Sequence, residues 1–254
     1  APGAHSRRRP VERRTERQRG ESVSDLPGGS ITTRPLHFIW ILDTSYSMAG
    51  DKIGQLNFAI SEALPAMRDT ADGRPEAQLL VRAVTFSSGA RWHVAQATPV
   101  KDFSWTDVTA DGVTDMGKAL SLVAEQLRMP PMDRRALPPV LVLVTDGFPT
   151  DDFQSGLAAL MKEPWGKKAV RLGIGIGDDA DLSVLAKFIA HPEIQPLVAK
   201  NSKDLVNFIR WASTAVVEEV SSPRSRPLDD AGDGNVPNIP EPPPTTGSDD
   251  GVVW

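Results

Sequence analysis

Asp43, Ser45 and Ser47 form a D-x-S-x-S turn directly after the apolar run 36–42. A carboxylate and two hydroxyls leaving the carboxyl end of a buried strand can all point at one spot, which suits a hard divalent cation that prefers oxygen ligands. Two later segments add donors. Thr114, in Gly112-Val113-Thr114-Asp115, carries a hydroxyl just before a helical pattern, and Asp146, in Thr145-Asp146-Gly147, carries a second carboxylate after the apolar run 140–144. Taken alone, a D-x-S-x-S stretch reads more readily as a polar turn or helix cap. Three such loops in order read as converging on one ion.

The elements that must hold these loops follow from hydrophobic periodicity. After the first strand, Leu56, Ile60, Leu64 and Met67 recur at helical spacing until Ala71-Asp72-Gly73 ends the helix. The run 79–86 is a second strand, and the short turn Ser87-Ser88-Gly89 into Arg91-Trp92-His93-Val94 leaves no room for a parallel crossover, so the third strand is expected as an antiparallel edge. The Thr114 loop opens a helix through Leu120, Val123 and Leu127 that Pro130-Pro131 stops. Strand and helix then alternate: 140–144 with Phe153 to Met161, 169–176 with Leu182 to Ile189, and a short strand near Leu197 with a last helix from Leu205 to Val216. The pattern predicts an α/β fold, a doubly wound, mainly parallel six-stranded sheet with one antiparallel edge strand and helices on both faces. In such sheets ligands bind beyond the carboxyl ends of the strands near the topological switch point, where the D-x-S-x-S turn is expected to fall.

Apolar periodicity fills one stretch, giving three expected regions: an Arg-rich arm over 1–34, a single domain over 35–220, and a Pro- and Asp-rich tail over 221–254. Both ends read as solvated chain. The net charge of −5 argues against nucleic-acid binding by the whole protein, leaving only the arm, with seven arginines in its first twenty residues, as a contact for an acidic partner or nucleic acid. The 254 residues include no cysteine, so no disulfide framework is available. No signal peptide or membrane span is legible, and a cytoplasmic location with no membrane contact is the expectation. Val252-Val253-Trp254, after Asp249-Asp250, reads either as an inert end or as a short docking peptide on a flexible linker.

The three loops together resemble the von Willebrand factor A domain with its metal-ion-dependent adhesion site, in which D-x-S-x-S, G-x-T and T/S-D-G elements lie in this order. The resemblance implies Ser45, Ser47 and Thr114 as hydroxyl ligands, with Asp43 and Asp146 acting directly or through water. Thr145-Asp146-Gly147-Phe148-Pro149-Thr150-Asp151-Asp152, Trp165-Gly166 and 208–213 are further similar to the bacterial TerY-type branch, named for tellurium-resistance gene clusters. One departure is Tyr46, where the family commonly has glycine, giving the site a bulkier rim. The resemblance implies a partner's Asp or Glu completing the metal's coordination, and association with a PP2C-like phosphatase and a Ser/Thr kinase, or with a MoxR-type AAA+ ATPase as for other bacterial A domains. The expected role is an adaptor in a stress-response or conflict system.

Oxygen-only ligands favour Mg²⁺, with Mn²⁺ as a substitute, and the scattered His5, His37, His93 and His191 make no zinc motif. The alternative, a metal-dependent hydrolase or phosphotransfer-associated enzyme, needs a positioned base. Asp115, Asp151 and Asp152 lie near enough to serve, yet carboxylates there are more simply helix-start or supporting residues. A nucleotide site is disfavoured because Gly173, Gly175 and Gly177 alternate within a strand pattern and precede Asp178-Asp179; close helix packing is their expected use. No catalysis is expected.

Overall fold

A computed structural model describes residues 33–222 and 238–246. Of the Arg-rich arm, residues 1–32 lie outside the described residues, as does Val252-Val253-Trp254; Arg34, expected as the end of the arm, is instead the first residue of β1, paired with Ala77. The chain forms β1 (Arg34–Asp43), a 3₁₀ turn (Tyr46–Met48), α1 (Asp51–Asp72), β2 (Ala77–Ser87), β3 (Gly89–Pro99), α2 (Met116–Gln126) and β4 (Val140–Thr145). It continues with α3 (Phe153–Lys162), α4 (Pro164–Lys168), β5 (Val170–Ile176), α5 (Leu182–Ile189), β6 (Leu197–Ala199), α6 (Ser202–Ser213) and α7 (Ala215–Val220). The sheet order is β3-β2-β1-β4-β5-β6, with β3 antiparallel to β2 and every other pairing parallel. The expected doubly wound architecture is the observed one.

The period-2 geometry of a strand divides β1 between two cores. Leu36, Phe38, Trp40 and Leu42 face the core beneath α1, α6 and α7, while Ile39 and Ile41 face the core beneath α2, α3 and α5. β4 repeats the division, Val140, Val142 and Val144 on one side and Leu141 and Leu143 on the other. Each large apolar side chain buried this way contributes roughly 1.5–3 kcal/mol, so the two central strands are the most firmly held elements beneath the site loops. The strands are therefore a rigid base.

Several details depart from the apolar pattern. Arg171 is buried within β5, where its guanidinium donates to the carbonyls of Gly166 at 2.6 Å and Phe188 at 2.8 Å, so it closes the last turn of α5. Desolvation lowers its pKa to about 10. The last helix breaks at Thr214 into α6 and α7, and α4 has too little periodicity to be legible. Gly173 and Gly175 do serve close packing: a Cβ on Gly173 would press on Leu185 of α5 at 3.1 Å, and one on Gly175 would meet Ala180 at 2.6 Å.

Within the stretch expected to be a solvated linker, residues 238–246 lie against the domain. Ile239 packs on the core beneath α1 and α6. Thr246 donates its backbone amide to Asp204 Oδ1 at 2.7 Å and its hydroxyl to the same oxygen at 2.9 Å. The composition of this segment conceals the contact, because Pro-rich sequence reads as extended in solvent or on a surface alike. A few side chains decide which.

Candidate metal-binding site

β1 carries Asp43 to its carboxyl end, and the backbone leaves the sheet at once. Thr44 is held by Phe86, whose carbonyl accepts from its amide at 2.8 Å and its hydroxyl at 3.0 Å. The next residues turn sharply, and Gly50, at φ +82°, redirects the chain into α1 with a conformation that side-chain-bearing residues resist. That turn brings Ser45, Ser47 and Lys52 to one place. Parallel pairing of β1 with β4 sets the Thr145-Asp146 turn beside it.

A continuous hydrogen-bond chain joins the two turns. Ser45 donates its amide to Asp43 Oδ1 at 2.8 Å, Ser45 and Ser47 hydroxyls lie 3.0 Å apart, and Ser47 donates to Asp146 Oδ1 at 2.7 Å. Thr145 donates its hydroxyl to Asp43 Oδ2 at 2.5 Å. Lys52 places its ammonium 2.6 Å from Asp146 Oδ2. These contacts bring together four of the five residues the sequence singled out. Thr114, on the third loop, is tied in through backbone: Gly112 accepts from the Tyr46 amide at 3.0 Å, and the Thr114 amide donates to Thr150 Oγ1 at 3.0 Å.

Electrostatically the site is unbalanced. Asp43 is fully buried and Asp146 is 2 % exposed. Burial pushes the Asp43 carboxyl above its ordinary value; hydrogen bonds from Ser45 and Thr145 hold it back, and the neighbouring Asp146 adds to the rise. Among the described residues Lys52 meets Asp146, whereas Asp43 is met by hydroxyl and amide donors and by no ion pair. A buried carboxylate without a cation is costly. Among the described residues no three His, Cys or carboxylate side chains cluster, so any ion here would be held by two carboxylates and neutral hydroxyls, a donor set that fits a hard cation.

The other nearby acids are occupied as caps. Asp151 accepts from the Gly117 and Lys118 amides at 2.8 Å each, closing the amino end of α2, and Asp152 accepts from Ser155 at the start of α3. Asp115 pairs with Lys118 at 2.6 Å and accepts from the Gly89 amide at 2.7 Å; the Lys118 contact holds its carboxyl below the usual range. Sequence reasoning passed over Lys52, Thr145 and Thr150. A lysine nine residues beyond Asp43, in the first turn of an amphipathic helix, was the available signal for the first.

An open α/β sheet whose strand order reverses at β1, with a hydroxyl and carboxylate cluster over the adjoining ends of β1 and β4, defines the class: a Rossmann-like domain with a candidate site at the switch point. Residues 39–209 match the von Willebrand factor type A domain family, and the chain belongs to that family. No curated protein sequence matches it significantly. Among solved structures it is similar to the ArnB paralog VWA2 from Sulfolobus acidocaldarius, at 16 % identity and TM-score 0.53, with 71 % of this chain and 45 % of that one covered. It is similar also to a von Willebrand factor type A protein from Catenulispora acidiphila, at 16 % identity and TM-score 0.55, covering 74 % and 43 %. Proximal thread matrix protein 1 of the mussel byssus gives 14 % identity and TM-score 0.56, covering 75 % and 49 %. The chain thus spans less than half the length of each, and at such identities the likeness shows the fold. Among the described residues no helix is long and apolar enough to cross a membrane.

Proposed function

We propose that this protein is a metal-dependent protein-interaction module in which Asp43, Ser45, Ser47, Thr114 and Asp146 hold one Mg²⁺ or Mn²⁺, and that a partner's Asp or Glu completes the coordination. The observation that supports this best is Asp43, buried and hydroxyl-bonded but, among the described residues, without a cationic partner. When bound, the ion supplies a positive centre with an open position for a carboxylate oxygen. The chain's own residues do the rest. Thr145 and the Ser45 amide fix the orientation of Asp43, the Ser45 and Ser47 hydroxyls face each other across the site, and Lys52 neutralises part of the charge on Asp146.

Binding rather than catalysis is the favoured reading, because Asp115, Asp151 and Asp152, the candidate bases, have their oxygens engaged in caps and an ion pair. The similarity of 145–152 to the TerY-type branch supports an adaptor role in a bacterial stress-response or conflict system, in the cytoplasm, beside a PP2C-like phosphatase and Ser/Thr kinase or a MoxR-type AAA+ ATPase. The test is calorimetric titration of Mg²⁺ and Mn²⁺ into wild type, Asp43→Ala and Thr114→Ala, alongside capture of the partner with and without chelator. Single-site uptake lost in the variants is the expected result. Equal capture by folded variants in chelator would refute the adhesion mechanism.

A further inference from the structure

Of the six large apolar side chains that stand exposed among the described residues, three rise from the three loops of the site, one from each: Tyr46 at 73 %, Val113 at 48 % and Phe148 at 66 %. The other three are scattered, Phe58 along α1, Met129 beyond the end of α2 and Leu182 at the start of α5. Each loop residue lies beside a candidate metal ligand: Tyr46 between Ser45 and Ser47, Val113 before Thr114, and Phe148 shortly after Asp146. The loops are also tied to one another. The Tyr46 amide donates to the Gly112 carbonyl at 3.0 Å, the Thr150 amide to the Thr114 carbonyl at 2.9 Å, and the Ser47 hydroxyl to Asp146 at 2.7 Å. The three side chains therefore stand around one opening, on loops that cannot part without breaking those bonds. Apolar groups gathered in this way on a polar surface mark a place where another surface is received.

Charge narrows what is received there. The stretches 43–52, 111–118 and 145–152 hold seven carboxylate residues against two lysines, and both lysines are engaged, Lys52 with Asp146 and Lys118 with Asp115. One divalent ion leaves these loops net negative. Asp51, in the first turn of α1, and Asp111, beside Gly112, are exposed, and among the described residues neither is in an ion pair. Such a field repels nucleic acid, anionic lipid and acidic stretches of protein, and it draws basic groups to the outer edge of the opening. A carboxylate is favoured at one point only, the ion. Apolar side chains around that point keep water from the ion–carboxylate contact and so strengthen it.

We infer that the site receives a protein segment in which a single Asp or Glu stands between bulky apolar residues, with Lys or Arg farther out. The carboxylate meets the ion, the apolar neighbours cover Tyr46, Val113 and Phe148, and the basic residues face Asp51 and Asp111. This rests on the reading of the site as a metal-dependent carboxylate receptor and adds to it the means of choosing among carboxylates. Every protein surface offers acidic residues to an ion. The rim and the outer acids reject those that sit in wholly polar or acidic stretches.

The probe is a random linear peptide library, selected on the full-length protein in Mg²⁺ and eluted with chelator, with Mg²⁺ uptake measured calorimetrically. The eluted peptides should converge on one acidic residue flanked by apolar ones, with basic residues outside. The synthesised consensus peptide should then bind Tyr46→Ser and Phe148→Ser about tenfold more weakly than wild type, while both variants take up Mg²⁺ as wild type does. Asp51→Asn/Asp111→Asn should bind it about threefold more weakly and with less dependence on salt. Peptides without apolar neighbours, rim variants of undiminished affinity, or a metal-loaded protein that yields no peptide would each overturn the inference and leave the metal reading intact. Absence of Mg²⁺ uptake by wild type sinks that reading and the inference with it. Self-association in Mg²⁺ that Phe148→Ser abolishes would place a second copy on the rim and overturn the assignment to a partner's segment.

Discussion

Two buried carboxylate groups sit at the same end of this sheet, and the chain treats them oppositely. Asp204, 1 % exposed, is closed by the chain itself: the Lys200 amide donates to Oδ2 at 3.2 Å, Thr246 fills Oδ1 twice, and the Asp204 amide donates in turn to Oδ1 of Asn201, the N-cap of α6, at 2.9 Å. Asp43 and Asp146 are equally buried, but Asp43 is answered by one amide and one hydroxyl, and Asp146 by one hydroxyl and the Lys52 ammonium, side-chain groups that can turn to other partners. Burial of an acid therefore does not by itself mark a binding site. What separates the two is whether two backbone amides close the carboxylate, as at the Asp204 joint, or whether rotatable side chains supply most of the answer and leave room for a cation.

The largest expected effect tests that distinction directly. Asp43→Ala should weaken divalent-cation binding by roughly a hundredfold or more, since loss of a supporting residue alone costs about 10–100-fold. Calorimetry on the folded variant measures it. Asp204→Ala should leave metal affinity unchanged, and a shared loss in both variants would erase the contrast.

Next in size is an acid response that neither region supplies. His37, on β1, has its pKa pushed down to about 4 by burial and then by the nearby Arg82. The folded state resists protonating it, so its contribution is complete above the unfolded value near 6.5 and is lost as pH falls from there toward 4. The loss amounts to roughly 3 kcal/mol at most, from about 1.4 kcal/mol per unit. Urea unfolding of wild type and His37→Gln between pH 7 and 4 should show a shallower pH slope in the variant; parallel slopes would assign the acid response elsewhere.

A smaller cost falls on the closed region. Asp204→Ala strands the Lys200 and Thr246 amides and releases 238–246 from the start of α6, which should cost about 1–3 kcal/mol in chemical denaturation of the full chain. A negligible change would mean that residues 238–246 contribute nothing to the fold through this joint.

How much of this was legible beforehand divides along the same line. The six strands and the order of the three loops could be read because apolar runs such as 36–42 and 140–144, bounded by polar turns, leave few alternatives. Asp43, Ser45, Ser47 and Asp146 were legible as a group because their residue types have one common chemistry. The Asp204 joint was not, since it pairs a helix-start acid with a threonine 42 residues away, and nothing in either local pattern points to the other. Arg171 escaped notice for a related reason: its partners are backbone carbonyls, which every sequence has.

Lys52 gives the smallest effect and the finest discrimination. Its ammonium, on a side chain 21 % exposed, already neutralises Asp146 at 2.6 Å, so an arriving divalent ion must share or displace it. Lys52→Met removes that competitor and leaves two buried carboxylates facing each other without any cation. The metal-free protein should lose about 1 kcal/mol, and metal affinity should rise by about fivefold, because the same interaction free energy is lost from the metal-free side of the equilibrium. Thermal unfolding in chelator and in Mg²⁺ reads both at once: the variant melts lower than wild type without metal and gains more from it. A variant that loses stability equally in both conditions would make Lys52 a permanent part of the site, binding alongside the ion rather than standing in for it.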